Sequence, residues 1–435
     1  RYFEPAYEWK PVMFMGKKLA VTICEDIWDI TENPLYRQCP MNQLIESKPD
    51  LMINLSASPF DYTHAEDRLA VVKQNVLRYK IPMLYCNTVG SQTEIVFDGG
   101  SLVYDASGNL VKQMPFFEEG LLGLNWDGAT FDLPIQEAAQ ALPNTELNPV
   151  VFQPELHIDR VHDALVMGIR QYFEKMGFKK AIVASSGGID SAVTLALACR
   201  ALGPEQVHAV LMPSHYSTSH SVSDAEQLSW NLNNPYDIIP IKSIFNSFEE
   251  SLKPIFGDRP FDVAEENIQS RIRGVLAMAL ANKFHYILLN TSNKSELATG
   301  YGTLYGDMAG GIGVLGDLYK MQVYALARYI NRDKEYIPEH IITKAPSAEL
   351  RPEQKDSDSL PPYELLDAIL YQYIELRRSP KDMKEQGFDA ALVSRITGMV
   401  NRNEYKRNQF CPIIRISPKA FGIGRRIPIV AKYLS

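Results

Sequence analysis

Residues Ser186 to Ser191 read Ser-Gly-Gly-Ile-Asp-Ser, directly after the apolar run Ala181 to Ala184 and just before the helix-forming run Ala192 to Leu202. This is the pattern of a pyrophosphate cradle. Gly187 and Gly188 carry no Cβ, so backbone N–H groups can approach phosphate oxygens closely, and the following helix N-terminus adds its positive dipole end. The hydroxyls of Ser186 and Ser191 can donate to the same oxygens. Asp190, a carboxylate among anions, makes chemical sense when it holds a divalent cation such as Mg²⁺. A Walker loop spaces its glycines more widely and closes on Gly-Lys-Ser/Thr, and no such lysine follows here. The expected chemistry is ATP cleavage between the α and β phosphates, giving AMP and pyrophosphate, rather than that of a kinase or GTPase.

Other chemistry-bearing segments follow. Thr291 to Glu296 (Thr-Ser-Asn-Lys-Ser-Glu) stands behind the apolar run Ile287 to Leu289, and Glu296 is a candidate second ligand for Mg²⁺. Tyr305 to Gly313 is glycine-rich and reads as a mobile lid, with Asp307 offering a carboxylate to metal or substrate and Lys320 just beyond. Taken alone, Asp307 is equally a solvated loop acid. Arg271 and Arg273, near the start of a helix, are either a solvated face or phosphate contacts. Lys406, Arg407 and the stretch Ser417 to Arg426 place basic residues in loops, as a second phosphorylated substrate requires. In the first third, Cys24 closes an apolar strand ahead of Glu25 and Asp26, where backbone N–H groups can stabilise a thiolate. The other reading of Cys24 is an inert core thiol.

The elements that position these residues alternate. Leu19 to Cys24, Leu51 to Leu55 and Met83 to Cys86 read as strands, Glu66 to Tyr79 as a helix, and Asp105 to Gly108 as the turn of a hairpin. Beyond an amphipathic helix at Ile158 to Lys175, strands at Ala181 to Ala184, Val207 to Met212, Asp237 to Ile241 and Tyr286 to Asn290 alternate with helices. The expected class is α/β, with a doubly wound parallel sheet whose ligands bind beyond the carboxyl ends of the strands. Between them, the Pro-, Asn- and Gln-rich stretch from Pro134 to Pro154 marks a boundary. The domains expected are 1–135, a linker at 136–157, and 158–435.

Bulk properties agree with two domains, since 435 residues exceed one ordinary core. The net charge of −8 argues against a nucleic-acid partner held by a broad basic surface. No apolar stretch approaches the roughly 18 residues that span a bilayer, and no signal peptide is visible, so no membrane partner and a cytoplasmic location are expected. Cys24, Cys39, Cys86, Cys199 and Cys411 are scattered and include no Cys-x-x-Cys pair, which suggests neither a disulfide framework nor a zinc site. The chain starts at Arg1 without a methionine and reads as a piece of something longer.

Ser-Gly-Gly-Ile-Asp-Ser, Glu-Asn-Ile-Gln-Ser-Arg, Thr-Ser-Asn-Lys-Ser-Glu, Tyr-Gly-Asp-Met-Ala-Gly-Gly and Ser-Pro-Lys-Ala-Phe-Gly-Ile-Gly-Arg-Arg, in this order, resemble the glutamine-dependent NAD synthetase family over residues 158 to 435. The resemblance implies a Rossmann-like ATP-pyrophosphatase fold that adenylates deamido-NAD with Mg²⁺ and ATP and then aminates it with ammonia. It implies ATP binding by Ser186, Gly187, Gly188, Asp190, Ser191, Thr291, Lys320 and Ser347, and metal or substrate roles for Asp190, Glu296 and Asp307. Deamido-NAD contacts are implied for Asn267, Arg271, Glu296 and Lys406. Ile23 to Trp28, Asn54 to Phe60, Cys86 to Gly90 and Phe97 to Ser101 resemble the nitrilase-type glutaminase domain of the same family. That implies part of an α-β-β-α sandwich in which Cys24 attacks glutamine, the N–H of Glu25 stabilises the oxyanion, and Ser58 and His64 bind glutamine. The family usually carries lysine or arginine near His64. Its triad also needs a glutamate and a lysine upstream of the cysteine, and neither Lys10 nor Lys17 stands in a matching motif. A symmetric homo-oligomer is implied as well. The competing readings are another adenylating amidotransferase, of the GMP or asparagine synthetase kind, and a carbon-nitrogen hydrolase with a nucleotide-binding regulatory domain. The Cys24 neighbourhood argues against the first, and the carboxylates Asp190, Glu296 and Asp307 argue against the second.

Overall fold

The structure, a computed structural model, describes residues 4, 6–29, 38–128, 130–132, 151–352 and 354–430. The chain divides into two compact units, Arg1–Ser91 with Ile95–Leu147, and Gln92–Glu94 with Asn148–Ser435. Most of the expected linker, residues 136–150, lies outside the described residues.

In the first unit a six-stranded sheet runs in the order β1 (Val12–Phe14), β2 (Lys17–Ile23), β3 (Leu51–Ser56), β4 (Met83–Asn87), β7 (Leu102–Tyr104), β8 (Leu110–Gln113). The strands β2, β3 and β4 are parallel, and the outer pairs are antiparallel. The sequence alternation is visible in the structure: Met52, Asn54 and Ser56 of β3 are buried on one face. The register sets Thr22, Asn54 and Tyr85 abreast on that face. All three are nearly inaccessible. Short helix α1 (Pro40–Leu44) and the longer α2 (His64–Tyr79) accompany the sheet, and α2 buries Arg68, Val72, Asn75 and Val76, a stripe at helical spacing. Two small ribbons complete the unit, β5 (Val89–Gln92) with β6 (Ile95–Asp98) and β9 (Asn125–Trp126) with β10 (Phe131–Asp132).

The second unit opens with α3 (Ile158–Met176), whose Val161, Leu165, Ile169 and Phe173 form its buried stripe. Five parallel strands follow in the spatial order β13 (Tyr236–Ile238), β12 (Val207–Leu211), β11 (Lys180–Ala184), β14 (Tyr286–Asn290), β15 (Ile312–Gly313). The chain winds outward from β11 through β12 to β13 and then returns to the other side of β11, so the direction of winding switches between β11 and β14. Such a switch opens a crevice at the carboxyl ends of the two strands. The helices are α4 (Ile189–Leu202), α5 (Ser219–Leu232), α6 (Lys242–Phe256), α7 (Val263–Phe284), α8 (Lys294–Thr299), α9 (Lys320–Ile330) and α10 (Glu339–Thr343). A helical group formed by α11 (Tyr363–Ile374), α12 (Pro380–Glu385), α13 (Ala390–Arg402) and α14 (Glu404–Arg407) follows. Apolar on nearly every side, α4 is buried and packs against α3 and α9.

Three expectations need correction. The helix after the Gly-Gly turn begins at Ile189, so Asp190 and Ser191 belong to its first turn. The Tyr305 to Gly313 stretch is not a free lid: Met308 and Ile312 are buried and the stretch ends in edge strand β15. Its glycines serve close packing, since a Cβ on Gly306 would meet Ser270 Oγ at 2.4 Å and one on Gly310 would meet Asn290 Cβ at 2.7 Å. Lys406 and Arg407 lie on α14, not in a loop. Arg407 is buried there, donating to the carbonyls of Leu297 and Ala298 and pairing with Glu404, which satisfies the free carbonyl end of α8.

Candidate functional site

The two strands flanking the switch each deliver one turn to the crevice. After β11 comes Ser185 to Ser191, where Gly187 has φ +78° and a Cβ on it would lie 2.2 Å from the Ser221 carbonyl oxygen. Only glycine fits there on both counts. Gly188 caps α4. Ser191 Oγ donates to the Gly188 carbonyl at 3.0 Å and accepts from Ser186 N–H at 3.2 Å, so its hydroxyl closes the turn. Ser186 is exposed at the mouth of the turn.

After β14 comes Thr291 to Glu296, with Asn293 capping α8 through Glu296 N–H and the Glu296 carboxylate accepting from Asn293 N–H. This capping box points two side chains across the crevice. Asn293 Nδ2 donates to Asp190 Oδ1 at 2.9 Å, and Lys320 Nζ, on the first residue of α9, lies 2.5 Å from Asp190 Oδ2 and 3.6 Å from Glu296 Oε1. Burial and the Asp190 charge push the Glu296 carboxyl up to about 8, against the pull of Lys320. Burial works against the Lys320 charge, yet Asp190 and Glu296 together hold it well above the ordinary ammonium range. A third carboxylate, Asp356, acts on the same cluster and accepts from Tyr363 Oη at 2.8 Å and Tyr301 Oη at 3.2 Å. Two carboxylates facing one lysine are hard oxygen donors of the kind that bind Mg²⁺ jointly with nucleotide phosphates.

Four other sequence candidates gather at a different place, the segment from Gly300 to Asp307. Asn267 Oδ1 accepts from Thr303 Oγ1 at 2.7 Å, Arg271 Nε donates to the Leu304 carbonyl at 3.3 Å, and Lys406 Nζ donates to the carbonyls of Gly300 at 2.7 Å and Gly302 at 2.8 Å. Asp307 Oδ1 accepts from Thr303 N–H at 2.6 Å. Desolvation lowers the Lys406 pKa, against the attraction of Asp307. Asp307 thus stands with Asn267 and Lys406 rather than with Asp190 and Glu296. No group of three His, Cys, Asp or Glu side chains suited to a metal occurs among the described residues. Of the two readings of Arg273, solvated face or phosphate contact, the solvated face does not hold: its Nε donates to the Met212 carbonyl at 2.9 Å, and burial lowers its pKa to about 10. Ser347 is exposed, its hydroxyl committed to the Gln354 carbonyl at 2.5 Å. Its loop is tied down by Glu349, which accepts from Thr218 Oγ1 at 3.0 Å and Ser221 Oγ at 2.6 Å, beside Gly187.

Sequence reasoning missed the interior of this site. Lys294, inside the Thr-Ser-Asn-Lys-Ser-Glu motif, is wholly buried between Asp317 at 3.0 Å and Glu375 at 2.7 Å. Asp317 in turn accepts from the N–H groups of Ile416 and Ser417. A lysine in a polar motif carries no local sign that it points inward.

In the first unit Cys24 directly follows β2 as the first residue of a 3₁₀ turn, Cys24–Ile27, with φ +47°. A non-glycine residue held in this left-handed region is a strained position of the kind that concentrates at functional sites. The Cys24 carbonyl accepts from Asn54 Nδ2 at 3.3 Å. Ser58 Oγ and His64 Nε2 are 2.9 Å apart, and Trp28 stacks on the His64 ring at 5.0 Å between centroids. Ser58 N–H donates to Asn87 Oδ1 at 2.9 Å, and Asn87 reaches Asp98 at 3.3 Å. Below them Arg68 and Asp98 form a buried two-pronged pair at 2.9 and 2.6 Å, a device with no signal in the sequence. Burial pushes the Tyr85 phenol up, while Ser56, Arg68 and Ser58 pull it back.

Comparison with known proteins bears on both units. Residues 161–410 match the NAD synthase family. A glutamine-dependent NAD(+) synthetase from Synechocystis sp. is 41% identical over 436 residues, covering 100% of this chain and 76% of that protein. One from Thermotoga maritima is 42% identical over 454 residues, covering 100% of this chain and 78% of its own. The solved structure of a glutamine-dependent NAD+ synthetase from Acinetobacter baumannii in complex with adenosine diphosphate is 38% identical, with a TM-score of 0.71 over 99% of this chain and 75% of that one.

Proposed function

Because the chain belongs to the glutamine-dependent NAD(+) synthetase family, we propose that it catalyses the ATP-dependent amidation of deamido-NAD to NAD, with glutamine as the nitrogen source. The observation that carries the reading is the junction of Asp190, Glu296 and Lys320 beside the Gly187–Gly188 turn, at the switch of a doubly wound sheet. A carboxylate does not condense with ammonia in water, so its oxygen must first become a leaving group. The nicotinate carboxylate attacks the α-phosphorus of ATP, pyrophosphate departs, and ammonia then attacks the acyl carbon and expels AMP.

In our reading Ser186, the N–H groups at Gly187 and Gly188 and the first turn of α4 hold the phosphates, with Ser191 shaping the turn and Thr291 and Ser347 at its rim. Asp190 and Glu296 would hold Mg²⁺, whose charge would offset that of the pyrophosphate leaving group. Lys320 supplies a fixed positive charge to the same phosphates. Asn267, Arg271 and Lys406 around the Gly300 to Asp307 segment would take deamido-NAD, with Asp307 on the substrate side. In the first unit the Cys24 thiolate attacks the glutamine amide carbon, ammonia leaves, and water releases glutamate from the thioester. The Glu25 N–H would stabilise the oxyanion, and Ser58 and His64 would bind glutamine.

Self-association is the expected state, supported by exposed apolar side chains on α6 and α7, among them Phe248, Ile255, Val275 and Met278. No helix among the described residues is long and apolar enough to cross a membrane. With five free cysteines and ATP as a substrate, we place the enzyme in the cytoplasm. The direct test is to incubate the protein with ATP, Mg²⁺, deamido-NAD and either ammonium or glutamine, following NAD and AMP by mass. NAD and AMP in equal amounts are expected with ammonium. Neither product from folded protein overturns the reading.

A further inference from the structure

The N–H of Tyr319 is met from within α9, by Gln322 Oε1 at 3.0 Å, but the first two N–H groups of the helix itself are capped from outside its own chain segment. The residue in its cap position is Tyr319, whose side chain makes no cap bond. The N–H of Lys320 donates instead to Ser295 Oγ at 2.9 Å, and the N–H of Met321 to Asp367 Oδ2 at 2.8 Å. Ser295 Oγ donates in turn to Asp367 Oδ1 at 2.5 Å. Ser295 belongs to α8 and Asp367 to α11, and both are wholly buried. The ring of contacts therefore joins the first turns of two helices whose side chains face each other across the crevice. Ser295 is the immediate neighbour of Glu296, and Lys320 is the first residue of α9.

We propose that Asp367 and Ser295 act as a strut that positions Lys320 against Asp190 and Glu296 for the ATP half of the reaction, an inference that rests on the function proposed above. Neither residue touches Asp190 or Glu296 through its side chain. Removing the strut leaves buried N–H groups of α9 without acceptors and releases the helix end that carries Lys320. A shift of the order of 1 Å at such a group is enough to slow a positioned reaction severely.

The experiment uses ammonium as nitrogen donor and compares Ser295→Ala, Asp367→Ala, their combination and Asp367→Asn. The single alanine variants are expected to lower kcat/KM for ATP about 10- to 100-fold while KM for deamido-NAD stays within about twofold. Their combination should cost no more than Asp367→Ala alone, because both break one unit. The amide introduced by Asp367→Asn keeps an oxygen for the Met321 N–H and offers a donor to Ser295, so this variant should hold kcat/KM for ATP within about threefold. If Asp367→Ala fails to fold, Ser295→Ala against Asp367→Asn decides alone. The strut is overturned if Ser295→Ala leaves kcat/KM for ATP within about twofold of the wild type, if losses add, or if only the melting temperature moves. Wild-type protein that forms neither AMP nor NAD overturns the parent reading and the strut together.

Discussion

The Asp190 site and the Cys24 site both stand at the carboxyl ends of parallel strands, yet they handle charge in opposite ways. Around Asp190 the charges are at the site itself: Asp190 and Glu296 share Lys320, and the partners of Asp190 come from positions 103 and 130 residues away in sequence. Around Cys24 the side chains that meet are near neighbours in sequence, Ser58 and His64 six residues apart, and the closest ion pair described, Arg68–Asp98, is buried beneath them. A site that must accept a polyanion with its cation needs opposite charges in contact until the ligand arrives. At the thiol site the strained backbone of Cys24 is held above a buried Arg68–Asp98 pair whose two-pronged contact fixes both side chains.

Asp190→Ala gives the largest expected effect. It should remove NAD and AMP formation by about 10³-fold or more with either nitrogen source, read as AMP by mass. In the full-length protein, Cys24→Ala should remove glutamine-driven NAD formation to a similar extent while ammonium-driven formation stays within about twofold. Equal loss in the two assays would break the division into two sites. Arg68→Met leaves Asp98 buried without its partner and should lower stability by about 3–5 kcal/mol in denaturant titration. Its effect on ammonium-driven synthesis should be small, which sharpens the contrast between floor and site.

Gly187→Ala should cost about 1–3 kcal/mol and raise KM for ATP, because the new Cβ meets both an unfavourable φ and the Ser221 carbonyl. The smallest effect is in pH. The Glu296 carboxyl titrates at about 8 in the folded protein against an ordinary 4.5, so the folded state binds more protons between those values. Stability from this group is therefore greatest at low pH and falls as pH rises through about 8. Melting curves from acid to mildly alkaline pH should show the wild type losing stability relative to Glu296→Gln. A constant difference would mean that the two carboxylates do not compete.

Much of the fold was legible. The expected strands at Leu51 to Leu55, Met83 to Cys86 and Tyr286 to Asn290 fall on β3, β4 and β14, and the helix expected from Ile158 falls on α3. Period-two and helical spacing are local, and these segments agree with their surroundings. The glycine-rich stretch before β15 misled because local sequence does not distinguish glycine used for mobility from glycine used for close approach. Arg407 misled and Lys294 was missed for a related reason: a basic residue in a polar segment looks solvent-facing until its carboxylate and carbonyl partners, far along the chain, are known.

By itself the sequence determined the Ser-Gly-Gly-x-Asp-Ser turn, the strand that feeds it, the capped Asn293–Glu296 turn and the thiol at a strand end. Each depends on residues within one or two turns of chain, where backbone freedom, capping and alternation act directly. Only the tertiary structure decided that Lys320 stands between Asp190 and Glu296, that Asp307 joins Asn267 and Lys406 instead, and that Asp367 caps a helix to which it is not connected. Those decisions follow from strand order and helix packing, which bring distant segments within hydrogen-bond reach and bury charges that then have to find partners there.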